Sequence, residues 1–277
     1  MQISFIGGGN MAAAMIAGMV AHGYDSKSIL VFDRNKEKKN ALVEKYGICV
    51  SDSISSTVKG ADILILAIKP QNMVELINDI KALVNKDQII VTVAAGIETQ
   101  AYEKLFAKEI SFVRTIPNTP SSLGYGATGI YFNNNVSDDR KNKIIDIMKT
   151  MGEVAVVNDE REIDVIAAIA SSGPAYYFQF MEHMIEAAVN NGLDKSKAEK
   201  LVMQTCLGAA KMAQNSNEDI STLRKNVTSK KGITYEALNT FESLGLDSIV
   251  NNAIQANIKR AKELSKEFSE AIDKSSF

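Results

Sequence analysis

Three consecutive glycines, Gly7-Gly8-Gly9, stand between a short β-prone run and a long apolar stretch, and they constrain this chain more than any other feature. The run Gln2 to Ile6 alternates as a strand does, and Asn10 to His22 reads as a helix stopped by Gly23. With Asn10, Met11 and Ala12 the glycines complete the spacing G-x-G-x-x-G/A of a strand–turn–helix dinucleotide fingerprint. In that pattern Gly7 permits the tight turn, Gly9 lets the backbone approach a pyrophosphate, and Ala12 keeps the helix close to the sheet. The N–H groups that open the helix, reinforced by its dipole, then face anionic phosphates. Gly7, Gly8, Gly9, Asn10 and Met11 are therefore the first candidate cofactor contacts.

The pattern that follows supports a sheet covered by helices. Strands are expected at Ser28 to Phe32, Ile48 to Val50, Ile63 to Ile68, Ile89 to Val93 and Ser111 to Thr115. Helices are expected at Lys36 to Tyr46, Gln71 to Val84 and Gln100 to Phe106. Strands alternating with helices predict a mostly parallel sheet, the Rossmann class of α/β fold. Beyond Val157 no convincing strand remains. Glu162 to Ala170, Ala175 to Asn191, Lys195 to Ala213 and 246–273 read as helices, the last with Ile254, Ile258, Ala261, Leu264, Phe268 and Ile272 on one face. The expected organisation is a dinucleotide-binding domain over residues 1–160 and an all-α substrate and dimerisation domain over 161–277.

Candidate ligand positions cluster at the ends of the predicted strands, where open α/β sheets bind ligands. The second strand ends in Asp33-Arg34. An acid there accepts hydrogen bonds from the ribose hydroxyls of NAD, while an arginine pairs with the 2′-phosphate of NADP. Arg34, with Lys36, Lys38 and Lys39 behind it, tilts the expectation towards NADPH and leaves NADH as the alternative. Lys69-Pro70 follows the next apolar strand, and Pro70 suits the first position of a helix. Ala94-Ala95-Gly96 and Pro117-Asn118-Thr119-Pro120 follow the two strands after that. Small and turn-forming residues at successive strand ends make a crevice for a flat ring.

The helical half carries two further segments of interest. Ser171-Ser172-Gly173-Pro174 opens a helix, with the serines as expected N-caps. Ser229-Lys230-Lys231-Gly232-Ile233-Thr234 is a small-residue loop entering another helix. Its backbone N–H groups can hold a carboxylate, with the Ser229 and Thr234 hydroxyls as added donors. The plainer alternative is that Thr234 only caps that helix. The segment Ala175 to Ala188 carries Tyr176, Tyr177, Phe178, Phe180, Met181, Met184 and Ile185 around one helix, more apolar surface than a small domain covers alone.

Composition narrows the classes. The 31 Lys and Arg nearly balance 33 Asp and Glu, so nothing marks a nucleic-acid or anionic-membrane partner. Met11 to Ala21 is as apolar as a signal-peptide core, yet no Lys or Arg precedes it and it falls short of the ~20 residues of a membrane span. The two cysteines, Cys49 and Cys206, form no disulfide framework, which points to a reducing, cytoplasmic compartment. The two histidines, His22 and His183, read as a helix end and a helix face. No metal site is expected.

As a set these segments resemble the pyrroline-5-carboxylate reductase family from Ile3 to about Lys266. The matching pieces are IGGGNM at 6–11, AIKPQ at 67–71, AAG at 94–96, IPNTP at 116–120, SGPAYYF at 172–178 and VTSKKGITYEAL at 227–238. The resemblance adds Ala67 and Ala95 to Lys69, Pro70, Asn118 and Pro120 as cofactor-side positions. It implies NAD(P)H-dependent reduction of Δ1-pyrroline-5-carboxylate, a small imino acid, to L-proline, and a helical domain that forms a homodimer, often assembled further. It also places substrate-carboxylate binding and imine positioning on Val227, Ser229, Gly232 and Thr234. Two departures stand out: Lys230-Lys231 replaces the family's usual Pro-Gly or similar small pair, and Ser171 replaces a more usual glycine. The rival readings are a β-hydroxyacid dehydrogenase, another imine or deazaflavin-linked reductase, or a nonenzymatic NADP-binding relative. The absence of lysine from Tyr176 to Asn191 counts against the first, whose family carries a catalytic lysine on that helix.

Overall fold

A computed structural model describes residues 1–107 and 109–275, and the side chains as far as residue 272. The chain opens with β1 (Ile3–Ile6), α1 (Asn10–Ala21), β2 (Ile29–Phe32), α2 (Lys36–Tyr46), β3 (Cys49–Ser51) and α3 (Ile54–Lys59). Next come β4 (Ile63–Leu66), α4 (Met73–Ile80), β5 (Ile89–Thr92), α5 (Thr99–Phe106) and β6 (Ser111–Ile116). The series continues with β7 (Gly126–Phe132), α6 (Asp138–Lys149), β8 (Gly152–Val157) and α7 (Arg161–Ile166). It ends with α8 (Gly173–Asn190), α9 (Lys195–Gln214), α10 (Ile220–Asn226), α11 (Ile233–Ser243) and α12 (Leu246–Ser275).

The strands form one sheet in the order β3-β2-β1-β4-β5-β6-β7-β8, parallel except where β7 runs antiparallel to β6. The chain leaves β1 outward through β2 and β3, then returns to place β4 on the other side of β1. That reversal opens a crevice outside the carboxyl ends of β1 and β4. Strands β4 and β5 read Ile-Leu-Ile-Leu and Ile-Ile-Val-Thr with every residue buried, as a sheet covered on both faces requires. One core lies on the α1 side, with Met15, Ile16 and Met19 against Ile3, Phe5 and Val31. The other joins α4 and α5 to the sheet and takes in Phe268 and Ile272 of α12.

The elements between Pro117 and Val157, and the short helix α3, are not among those drawn from the sequence. They complete the Rossmann sheet with an antiparallel return and one more parallel strand. A second difference concerns Ser171 and Ser172. Ala167–Ser171 forms a π-helical turn, and Ser172 is itself helical (φ −85°, ψ −21°), so neither serine has the extended backbone of an N-cap. The Ser172 hydroxyl instead accepts from Asn257 Nδ2 at 2.9 Å.

The chain divides into two compact units. One holds Met1–Pro174 and the end of the chain from Ala256, and the other is Ala175–Gln255. The boundary drawn from the sequence at 160/161 falls inside the first. Among the described residues no helix is long and apolar enough to cross a membrane.

Candidate functional site

In the first unit the glycine loop is built by three constraints. Gly7 has φ +104°, and a Cβ there would collide with the Ala67 carbonyl, so only glycine fits. Its N–H donates to the Phe32 carbonyl at 2.8 Å, tying the loop to the end of β2. The Gly8 N–H donates to Asp33 Oδ2 at 2.7 Å. The other Asp33 oxygen accepts the Asn35 N–H, also at 2.7 Å. Asp33, the expected partner for ribose hydroxyls, thus also ties the loop to β2, and each of its oxygens keeps a further lone pair towards the cavity it lines.

Gly9 is the N-cap of α1, with no side chain capping the helix. A Cβ at Gly9 would meet nothing within 4 Å, so the loop faces open space. Ala12 is 1% exposed and lets α1 lie on the sheet. The uncapped N–H groups of the first turn therefore stand at a clear approach, which suits the pyrophosphate of a dinucleotide. A cavity of about 400 Å³ adjoins them. Gly7, Gly9, Asp33, Arg34, Ala67 and Lys69 line it, together with Lys38, Asn72 and Glu75. Gly8, Asn10, Met11, Pro70, Ala95, Asn118 and Pro120 lie outside that lining. Asn10 is exposed at the start of α1, and Met11 packs on the core. Pro70 begins a 3-10 turn, Pro70–Asn72, that leads into α4. Arg34, read as a 2′-phosphate partner, pairs with Glu75 at 3.0 Å, and both side chains are exposed.

The more distant strand ends do scaffold work. Ala95 packs against Ile116, Val157, Ile163 and Ala167. Gly96 has φ +72°, and a Cβ there would stand 2.9 Å from the Leu264 side chain, so this glycine lets α12 approach. Asn118 is buried, donates from Nδ2 to the Ala170 carbonyl at 3.0 Å and accepts the Ala127 N–H at 2.9 Å. Pro120 sits in the 3-10 turn Thr119–Leu123.

One buried charge cluster was not read from the sequence. Arg114, 2% exposed on β6, pairs with Glu160 at 3.1 Å and with Asp164 at 2.6 Å. Glu160 Oε1 also accepts the Thr99 N–H at 2.7 Å and the Thr99 hydroxyl at 2.9 Å. A lone arginine inside the apolar run Ser111 to Ile116, with acids gathered at 159–164, was the available signal. Burial and the nearby Glu160 push the Tyr131 hydroxyl pKa up.

In the second unit, α10 is followed at its C-cap by Val227, whose side chain is exposed. The Gly232 N–H donates to the Ser229 carbonyl at 3.0 Å, closing a turn in which Lys231 takes a left-handed backbone at φ +58°. Gly232, not Thr234, is the N-cap of α11, and no side chain caps it. Thr234 lies in the first helical turn, exposed to solvent, and its hydroxyl makes no hydrogen bond to another described residue. The loop thus presents uncapped backbone donors and a free hydroxyl together.

The helices of this unit bury little of their own apolar surface. On α9 only Ala198 and Val202 are buried, and on α10 and α11 no residue is. Tyr177, Phe178, Leu201, Leu207 and Ile249 are each more than half exposed.

Comparison with known proteins matches both halves. Residues 160–264 match the family described as pyrroline-5-carboxylate reductase dimerisation. Residues 2–96 match the family described as NADP oxidoreductase, coenzyme F420-dependent. The pyrroline-5-carboxylate reductase of Vibrio alginolyticus is 39% identical over 96% of this chain and 98% of its own length. Pyrroline-5-carboxylate reductase 1 of Bacillus subtilis is 35% identical over 96% of this chain and 90% of its own. The solved pyrroline-5-carboxylate reductase of Coxiella burnetii superposes with a TM-score of 0.89 at 40% identity, covering 95% of this chain and 98% of that one. The Plasmodium falciparum pyrroline carboxylate reductase, solved with NADP bound, superposes at 0.87 with 26% identity and the same coverage. A fingerprint loop at the sheet reversal, an uncapped loop before α11 and near full-length similarity lead to one conclusion: the chain belongs to the pyrroline-5-carboxylate reductase family.

Proposed function

We infer that this protein catalyses the NAD(P)H-dependent reduction of Δ1-pyrroline-5-carboxylate to L-proline. The observation that carries the reading is similarity to pyrroline-5-carboxylate reductases over 96% of the chain, with both functional loops present. The bound dinucleotide supplies the hydride. The substrate is a cyclic imine, whose nitrogen is basic enough to be protonated before reduction. Its carbon then accepts the hydride and its nitrogen keeps the proton, so the amine product needs no strong protein acid. That chemistry suits a chain with two histidines. The protein's task is to orient, anchor and keep water out.

Cofactor binding is assigned to residues 1–160, and substrate binding with dimerisation to 161–277, in line with family matches at 2–96 and 160–264. Gly9, Asn10 and Met11 offer the pyrophosphate their backbone N–H groups at the uncapped start of α1, and Gly7 and Gly8, whose N–H groups are bonded to Phe32 and Asp33, shape the loop. Ala67, Lys69 and Pro70 form the adjoining wall, and Ala95, Asn118 and Pro120 support the crevice further along the sheet edge. The preferred cofactor is NADPH, which Arg34 and Lys38 favour by charge, and NADH is the alternative. Val227, Ser229 and Gly232 hold the substrate carboxylate, and Thr234 positions the imine. The active form is a homodimer, with further assembly of dimers proposed from the resemblance alone. Proline formation from pyrroline-5-carboxylate and NADPH tests the reading, and failure to form proline with folded, cofactor-binding protein would reject it.

A further inference from the structure

We propose that Glu75 is a second acid, beside Asp33, by which this chain reads the 2′ position of the adenosine ribose, through its ion pair with Arg34. The proposal rests on the cofactor assignment above. Asp33 stands where such an acid is expected; its two oxygens accept the Gly8 and Asn35 N–H groups at 2.7 Å each, and each keeps a further lone pair for a ribose hydroxyl. Its carboxylate also holds the glycine loop against the end of β2. Glu75, in the first turn of α4, lines the same cavity as Asp33, Arg34 and Lys38. Its Oε1 accepts from Arg34 Nη2 at 3.0 Å.

The two side chains are 65% and 77% exposed, so solvent screens the pair and it opens at small cost. The two nicotinamide cofactors meet this pair differently. A ribose hydroxyl can donate to Glu75 while Arg34 stays paired. A 2′-phosphate must draw Arg34 away and then sit beside an uncompensated carboxylate. Glu75 therefore lowers the preference for NADPH that Arg34 and Lys38 would otherwise impose, and keeps NADH usable.

The test is equilibrium titration of the protein with NADPH and with NADH, followed by nucleotide fluorescence at fixed ionic strength. It compares the unmodified chain with Glu75→Gln, Arg34→Ala and the double variant. Glu75→Gln is expected to tighten NADPH about two- to fivefold, the scale of an exposed ion pair, and to leave NADH unchanged or weaker. In the Arg34→Ala background most of that gain should vanish. Equal shifts for both cofactors, or a full gain without Arg34, would overturn the proposal. Gly9→Asp is titrated alongside. If it spares NADPH binding, the cofactor lies elsewhere and the underlying assignment fails. If it abolishes binding while Glu75→Gln shifts both cofactors alike, only the role of Glu75 fails.

Discussion

Thr234 and Lys231 show how single residues divide between chemistry and structure. Because Gly232 is the N-cap of α11, the Thr234 hydroxyl is not needed to start the helix. Thr234→Ala should therefore lower kcat/KM about tenfold to a hundredfold, the loss of one positioned hydrogen bond, while Tm barely moves. Thr234→Ser should recover much of the activity. A fall in Tm with full turnover would return Thr234 to a structural role. Lys231 adopts φ +58°, a conformation that costs a side-chain-bearing residue roughly 1–2 kcal/mol. The family resemblance leads one to expect a small residue here, and a left-handed backbone suits glycine. Lys231→Gly should leave stability unchanged or raise it by up to about 1 kcal/mol in denaturant unfolding, whereas glycine in an exposed helix usually costs that much. A loss of about 1 kcal/mol would contradict the reading. Asp33 was legible as a site residue but its partner was not, since no pattern in the sequence shows that the Gly8 N–H comes back to meet it.

Among the elements, those built on apolar runs could be read and those built on tertiary contacts could not. Strands β4 and β5 are unbroken Ile, Leu, Val and Thr, and α1 carries its own fingerprint. Strand β7 is interrupted by Gly126 and Gly129, β8 alternates with an exposed Glu153, and α6 opens on charged residues. None of these reads strongly by periodicity. The π-helical turn before α8 was hidden for a similar reason, because its Ala170 carbonyl is met by the Asn118 amide from the turn that follows β6. Arg114 binds β6 to α7 through Asp164 and Glu160. Removing one partner leaves a buried charge poorly compensated, so Asp164→Ala should destabilise the fold by about 3–5 kcal/mol. Arg114→Met combined with Asp164→Leu should cost less than that single change. Denaturant unfolding of both variants checks the order, and the reverse order would show that the cluster gives net stability.

For the molecule as a whole, the apolar surface left open by Ala175–Gln255 governs assembly. Tyr177, Phe178, Leu201 and Leu207 are more than half exposed on helices that bury almost nothing within the chain. The aromatic load of the α8 segment made this legible from the sequence, and the dimerisation-family match over 160–264 agrees with it. Phe178→Asp should shift the light-scattering mass towards a monomer and lower Tm, while an unchanged mass would place the interface on another face. Thermal stability of the native chain should likewise fall on dilution, since association contributes to it. The account's central claim is the reaction itself. Purified dimer supplied with NADPH and pyrroline-5-carboxylate should consume the two in equal amounts and release L-proline in the same amount, measured by absorbance and amino-acid analysis. NADPH that binds but is not oxidised, or is oxidised without proline appearing, would contradict it.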